Sequence, residues 1–269
     1  MELRPTTDDD LPAMYSVFLE AIGELWRRHR FEPPSPSLEV FANQQRHISR
    51  TGASVVAERD GTMVGFGASF TRGDDWFLSS LFVAPRTQAG GLGSELLEAV
   101  WGDASRRRTI TDAIQPVSNA LYARRGLVPA TPILTFSGRP AVDEPAVPAD
   151  ADVRAVDARA YGFDRSVDHR YWERLALRTT WGDAYSYVFP GGDIGPVAGL
   201  EPAAAARALA AELTRAGGDV RVRIPGSSRA LVEVALRAGL RLAPVPGLLL
   251  LSAGVVPPAA LAPSGYVLF

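Results

Sequence analysis

Apolar positions change their period several times along the chain. Glu2–Pro5 alternates, which predicts a short first strand. Behind the acidic run Asp8–Asp10, the residues Leu11, Met14, Phe18, Ile22, Leu25 and Trp26 recur at three- and four-residue steps. That spacing predicts an amphipathic helix with an acidic start. Ser54–Glu58 and Met63–Phe70 are β-rich runs separated by Arg59-Asp60-Gly61, a hairpin signal. Trp76–Val83, WFLSSLFV, is largely apolar and of strand length, suited to the centre of a sheet. Beyond a glycine-rich connection, Leu92, Leu96, Leu97, Val100 and Trp101 lie on one helical face. A strand over Thr109–Ile114, a helix over Val117–Arg125 stopped by Gly126, and a strand over Ile133–Phe136 complete this half.

Residues 139–152, RPAVDEPAVPADAD, are rich in proline, alanine and acid and read as a linker. After it the order partly recurs. Ile194–Ala198 is apolar, Pro202–Arg215 reads as a helix, Val220–Ile224 as a strand and Ser227–Ala238 as a helix stopped by Gly239; Leu248–Leu251 is apolar again. Ser118–Phe136 and Ser228–Leu251 both run helix, glycine, short strand, prolines, strand. We read this as an internal duplication of one α/β unit, the second copy shorter at its front. The domains expected are 1–138, a linker 139–152, and 153–269.

Composition narrows the chemistry. At 269 residues and 46% apolar content the chain suits one large domain or two of average size, each with a real core. There is no cysteine, which removes thiolate catalysis and disulfides. All 28 basic residues are arginine, so no lysine nucleophile exists. His29, His47 and His169 are scattered, and no metal cluster is expected. A net charge of −2 gives no nucleic-acid footprint. No signal peptide or membrane span is visible, so a cytoplasmic location is expected.

The connection after the central strand reads RTQAGGLGSELL, residues 86–97, with glycines at 90, 91 and 93. Such a loop can be a tight turn only. It also leads straight into a helix, whose first-turn N–H groups lack intrahelical partners and carry about half a positive charge. Glycines let the backbone turn with positive φ and approach a ligand closely. The result is an anion cradle that needs no lysine. Neither G-x-G-x-x-G nor a Gly-Lys-Ser/Thr is present.

Gln88-Ala89-Gly90-Gly91-Leu92-Gly93, preceded by Leu81-Phe82-Val83-Ala84-Pro85, fits (Gln/Arg)-x-x-Gly-x-(Gly/Ala). This resembles the acetyl-CoA-binding signature of the GNAT N-acetyltransferase superfamily, and of its tandem, two-domain type. LRPTTDDDLPAM, AERDGTMVGFG and SNALYARRGL stand in that family's order and spacing across most of residues 1–138. The resemblance implies an α/β fold of tandem GNAT-like domains, each a mixed, mostly antiparallel central sheet flanked by helices. It implies acetyl-CoA as co-substrate, its pantetheine arm beside Phe82 and Val83 and its pyrophosphate on Gln88, Ala89, Gly90, Gly91, Leu92, Gly93 and Ser94. A backbone N–H near Phe82 would hold the thioester carbonyl. Tyr122, four residues before Gly126, would protonate the leaving thiolate. Ser118 would reach the cofactor, whereas the family's asparagine is replaced by Gln115.

The general base is open. Glu24 is our choice; Glu20, His47, Asp74, Asp75 and the terminal carboxylate of Phe269 are its rivals. The second copy has Gly199-Leu200-Glu201-Pro202-Ala203 where the loop would be, and Ala235 four before Gly239. It lacks both features, which a cofactor site predicts and a structural turn does not. The second half is therefore expected to be non-catalytic: a buttress, part of the acceptor pocket, or a homodimer contact. In the aromatic segment GFDRSVDHRYW (Phe163, His169, Tyr171, Trp172) core packing is expected first, acceptor binding second. The function expected is acetyl transfer to the amine of a small molecule by direct attack, with the Pro-rich stretch Phe31–Leu38 beside the acceptor. A non-catalytic CoA-sensing or scaffolding module, or an acyltransferase using a longer acyl-CoA or an aminoacyl-tRNA, is the alternative.

Overall fold

The computed structural model describes residues 1–88 and 90–269. The chain divides into two compact units, Met1–Thr109 with Ile114–Leu127, and Ile110–Ala113 with Val128–Phe269.

The first unit runs β1 (Glu2–Pro5), α1 (Leu11–Arg28), α2 (Leu38–Thr51), β2 (Ala53–Arg59), β3 (Thr62–Arg72), β4 (Asp75–Val83), α3 (Leu92–Ala99), the start of β5 (Arg106–Asp112) and α4 (Pro116–Arg124). Strands β1 to β4 are antiparallel neighbours, and β5 joins β4 in parallel. Successive residues of a strand face opposite sides, and β2 uses both. Val56 packs with Leu11, Met14, Val17, Phe41 and Phe66 under α1 and α2, whereas Ala57 packs with Val64, Leu92 and Leu96 under α3. Helix α2 is hidden from an apolar pattern because Gln45 and His47 take buried places beside Phe41 and Ile48. The Ser37 hydroxyl, accepting from the Val40 N–H at 3.3 Å, starts it.

The second unit holds β6 (Val128–Gly138), α5 (Val153–Ala160), α6 (Ser166–Trp172), β7 (Leu177–Thr180), β8 (Ala184–Val188), β9 (Asp193–Gly199), α7 (Pro202–Arg215), β10 (Val220–Pro225), α8 (Arg229–Arg237), β11 (Arg241–Leu242), β12 (Gly247–Leu251) and β13 (Leu261–Ala262). Here β7, β8 and β9 form a meander, β10 lies parallel to β9, and β6 runs antiparallel to β10 and β12. Alanines of α7 let it sit close on this sheet, with Ala205, Ala208 and Leu209 buried together with Val197, Val222 and Ile224.

In each unit the strands are mixed in polarity and mostly antiparallel, with helices packed on them, as the sequence implies. The compact units, however, part at Leu127 rather than at residue 138. The strand expected to close the first unit, β6, is laddered to β10, β11 and β12 and buries Phe136 among second-unit residues. Nor is 139–152 a free tether. Ala141 N–H donates to Ala238 O at 2.8 Å, Glu144 pairs with Arg237 at 2.8 Å, and Ala149 bridges to Trp181. Among the described residues no helix is long and apolar enough to cross a membrane.

Candidate active site

The parallel ladder between β4 and β5 is short. It joins Asp75–Leu78 to Arg106–Thr109 and then stops. Ser79 is the extra residue of a bulge against β3, where the register shifts between Ala68 and Ser69. Beyond it, Ser80–Val83 pair with β3 on one edge, and the ladder with β5 does not extend to them on the other among the described residues.

The hydrogen bonds decide which peptide groups face that open edge. Ala84 N–H donates to Val64 O at 2.9 Å. Peptide groups alternate edges along an antiparallel strand, so Phe82 turns its N–H toward β3, opposite Phe66. Leu81 and Val83 therefore present theirs to the open side. The Gln88 side chain agrees, donating to Val83 O at 3.1 Å from that side. The donor expected near Phe82 is thus supplied by its neighbours, and the Phe82 ring instead meets Phe18 of α1 edge-on at 5.1 Å.

The open edge leads into the glycine loop. Gly91 caps α3 with φ of +82°, a left-handed conformation that disfavours side chains. Ser94 and Glu95 N–H groups both return to Gly91 O, at 2.9 and 3.2 Å, which leaves the N–H groups at the helix mouth without a carbonyl one turn back. A Cβ on Gly91 would meet nothing within 4 Å, and on Gly90 only Thr87 O at 3.8 Å. These glycines face space, as a ligand cradle requires. At Gly93 a Cβ would touch Leu121 at 3.8 Å and Val83 at 4.0 Å, which brings α4 and the end of β4 to the same mouth. Gln88, Gly90, Gly91 and Ser94 are exposed, whereas the Leu92 side chain is core, so Leu92 can contribute only its backbone. Ala89 lies outside the described residues.

Tyr122 is buried in α4, next to Leu121. Burial raises its phenol well above the usual value, and a hydrogen bond with Ser118 one turn earlier opposes this only in part. At neutral pH it is a proton-bearing donor. Gln115 caps α4 with its Oε1, accepting from Val117 N–H at 3.3 Å, so its amide nitrogen is the end available to donate.

The acids separate clearly. Glu24 pairs with Arg28 on the solvent side of α1. Glu20 is the α1 acid that reaches the loop, at 3.6 Å from Arg86. Asp75 is buried against Arg108 at 2.6 Å and Arg106 at 3.2 Å. It lies seven residues, or about 23 Å of strand, from Phe82. Asp74 accepts from Ser105 at 3.0 Å, and His47 is buried in α2. Phe269 is buried in the second unit, its ring edge-on to Tyr161 at 6.0 Å. Among the described residues no group of three acids or histidines could hold a metal.

The second unit repeats the strand but not the site. Matching the ends of the two parallel ladders, Leu78–Thr109 and Ile194–Val222, aligns Leu78–Val83 with Ile194–Gly199 and Gln115 with Ser228. At Gly199, a Cβ would stand 2.5 Å from Ala205 N and 3.0 Å from Ala204 Cβ. Its absence lets α7 close onto β9. Glu201, where the cradle would be, is paired with Arg159 at 2.9 Å. The segment GFDRSVDHRYW is core, as expected: His169 lies between Asp157 (2.9 Å) and Tyr187 (2.8 Å), and Tyr185 donates to Asp157 at 2.7 Å.

Residues 18–127 match the model of the Acetyltransferase (GNAT) family. No curated protein sequence matches the chain. Its fold is similar to that of a candidate acetyltransferase from Pyrococcus horikoshii, with a TM-score of 0.80 at 20% identity, covering 100% of this chain and 95% of that one. It is also similar to a GCN5-related N-acetyltransferase from Sphaerobacter thermophilus, with a TM-score of 0.64 at 17% identity, covering 96% and 98%.

Proposed function

We propose, from the premise that residues 18–127 belong to the Acetyltransferase (GNAT) family, that the first unit transfers an acetyl group from acetyl-CoA to the amine of a small molecule. The observation that carries this reading is the open edge of β4 running directly into an exposed glycine cradle at a helix N-terminus. A pantetheine arm is a chain of amides. It suits an unpaired strand edge, as a pyrophosphate suits the N–H groups of Gly91–Ser94.

In this reading Leu81 and Val83 offer their N–H groups to the arm and to the thioester carbonyl, where donors aimed at developing negative charge stabilise the transition state. The neutral acceptor amine bonds to the acetyl carbon as the carbon–sulfur bond breaks; the nitrogen sheds one proton to water, and the departing thiolate takes one up to leave as the thiol. Tyr122 donates a hydrogen bond to the departing sulfur, its proton secured by burial. No covalent enzyme intermediate is needed, in keeping with a chain that has neither cysteine nor lysine. The stretch after α1 is tied down to that helix: Tyr15 donates to Pro36 O at 2.7 Å, and Trp26 packs edge-on to Phe31 at 6.3 Å. It supplies a fixed wall for the acceptor, and the near-neutral net charge favours a small acceptor over a polyanion or basic tail.

The test is thiol release from acetyl-CoA across a panel of small amines, with CoA binding followed by thermal shift. Acceptor-dependent release supports the reading. Binding of CoA with no release for any amine would leave a CoA-responsive module instead.

A further inference from the structure

We propose that the second unit carries its own ligand: the segment Pro258–Ala262 fills the cleft that corresponds to the open edge of β4. Each strand has two edges. On β9, β8 occupies one along its whole length, pairing Ala184 with Gly199 and Ser186 with Val197. On the other edge, β10 pairs only as far as Ile194, as β5 does only as far as Leu78 on β4. The edge beyond is not open here. Leu261 pairs with Ala198 and Ala262 with Val197, antiparallel.

The segment is bonded on both sides, as an inserted strand must be. Toward β9, Gly199 N–H donates to Ala260 O at 3.1 Å. Toward α8, Ser228 Oγ donates to Leu261 O at 2.8 Å and lies 3.3 Å from Pro258 O, to which Ser227 Oγ also donates at 2.6 Å. Gly199 aligns with Val83, and Ser228 with Gln115. The groups that hold the tail are therefore the counterparts of Val83 on the open edge of β4 and of Gln115 at the cap of α4. Gly195 fixes the next residue, since a Cβ there would stand 2.5 Å from Pro263 O. Leu261 and Ala262 are fully buried.

A peptide is an apt occupant, being like pantetheine a chain of amides. The tail stands in for the arm, and the contact between Gly199 and α7 removes room for the pyrophosphate. The second unit is thus held permanently in a ligand-filled form, and one chain has one place for CoA. Placement of the tail does not depend on what the first unit binds.

Amide hydrogen exchange on the full-length, ligand-free chain tests this. The Gly199 and Ala262 amides should exchange within about tenfold of Val222 in the neighbouring strand. Replacing Ser228 by Ala should speed Gly199 and Ala262 about tenfold, the worth of one buried hydrogen bond, while Val222 holds. Exchange of Gly199 in the native chain as fast as at exposed Val147 would overturn the proposal. So would calorimetric titration with CoA giving two sites per chain. Failure of the first unit to bind CoA would leave the exchange result unaffected, so the two readings fail separately.

Discussion

Gly91 separates a turn from a cradle, because its two possible penalties have different sizes in different substitutions. Any side chain there meets φ of +82° but no atom within 4 Å. Gly91→Ala therefore costs only the left-handed strain, about 1–2 kcal/mol, a fall of roughly 3–10 °C in Tm for a unit of this size. Gly91→Glu carries the same backbone strain and a longer side chain in open space, so its Tm should match that of Gly91→Ala. Toward CoA the two diverge. A carboxylate about 5 Å from one phosphate charge, at an effective dielectric near 20, opposes binding by about 3 kcal/mol, or roughly 200-fold in Kd. With two phosphates at the cradle, binding should vanish. Calorimetric titration with CoA at low and high salt, beside thermal melts of the same samples, reads both quantities. Salt should narrow the difference between the variants by screening it. In the second unit, Gly199→Ala should lower Tm sharply, because its Cβ would stand 2.5 Å from Ala205 N, yet leave the CoA affinity of folded protein unchanged. If Gly91→Glu and Gly91→Ala bound CoA equally, no pyrophosphate sits at this helix mouth.

Three further outcomes are expected. Tyr122→Phe should lower kcat by about 10²-fold or more while the Kd for CoA holds, and equal rates for both proteins in single turnovers would remove Tyr122 from the chemistry. Asp10 accepts from Arg4 at 2.7 and 2.8 Å and from the Thr7 N–H and hydroxyl. The Arg4 bond above all holds its carboxyl down at about 2. A lowered carboxyl stabilises the fold above its unfolded value near 4, and that stability is lost as pH falls from 4 toward 2. Urea melts should therefore show wild type ahead of Asp10→Asn by about 1 kcal/mol at pH 6, after allowing for solvent screening, with the difference closing near pH 2. Asp75→Ala removes the buried carboxylate that faces both Arg108 and Arg106 and should destabilise by about 3–5 kcal/mol. Lost kcat with an unchanged melt would make Asp75 a base after all.

The positive φ of Gly91 and the helix that carries Tyr122 and stops at Gly126 are legible because each rests on a local rule: where φ must be positive and where a helix stops. The rest depends on partners distant in sequence. Helix α2 turns Gln45 and His47 inward, so its buried face is not an apolar one. Strand β6 belongs by pattern with the first unit and by pairing with the second. The tail Pro258–Ala262 has no strand signature of its own, since the edge of β9 imposes its shape. Most telling is the parity of β4. Each residue of a strand sends its peptide groups to one edge, and one inserted residue exchanges the edges for everything beyond it. Ser79 is that residue. Its neighbours Leu78 and Ser80 would read the same in a strand without a bulge, yet the bulge decides that Leu81 and Val83, rather than Phe82, face the cleft. Deleting Ser79 should leave Leu78 opposite Ser69 and Ser80 opposite Ala68 in an unbroken ladder, with Leu81 and Val83 still facing the cleft. Calorimetric titration should then find CoA binding retained, and its loss would refute this account of the edge.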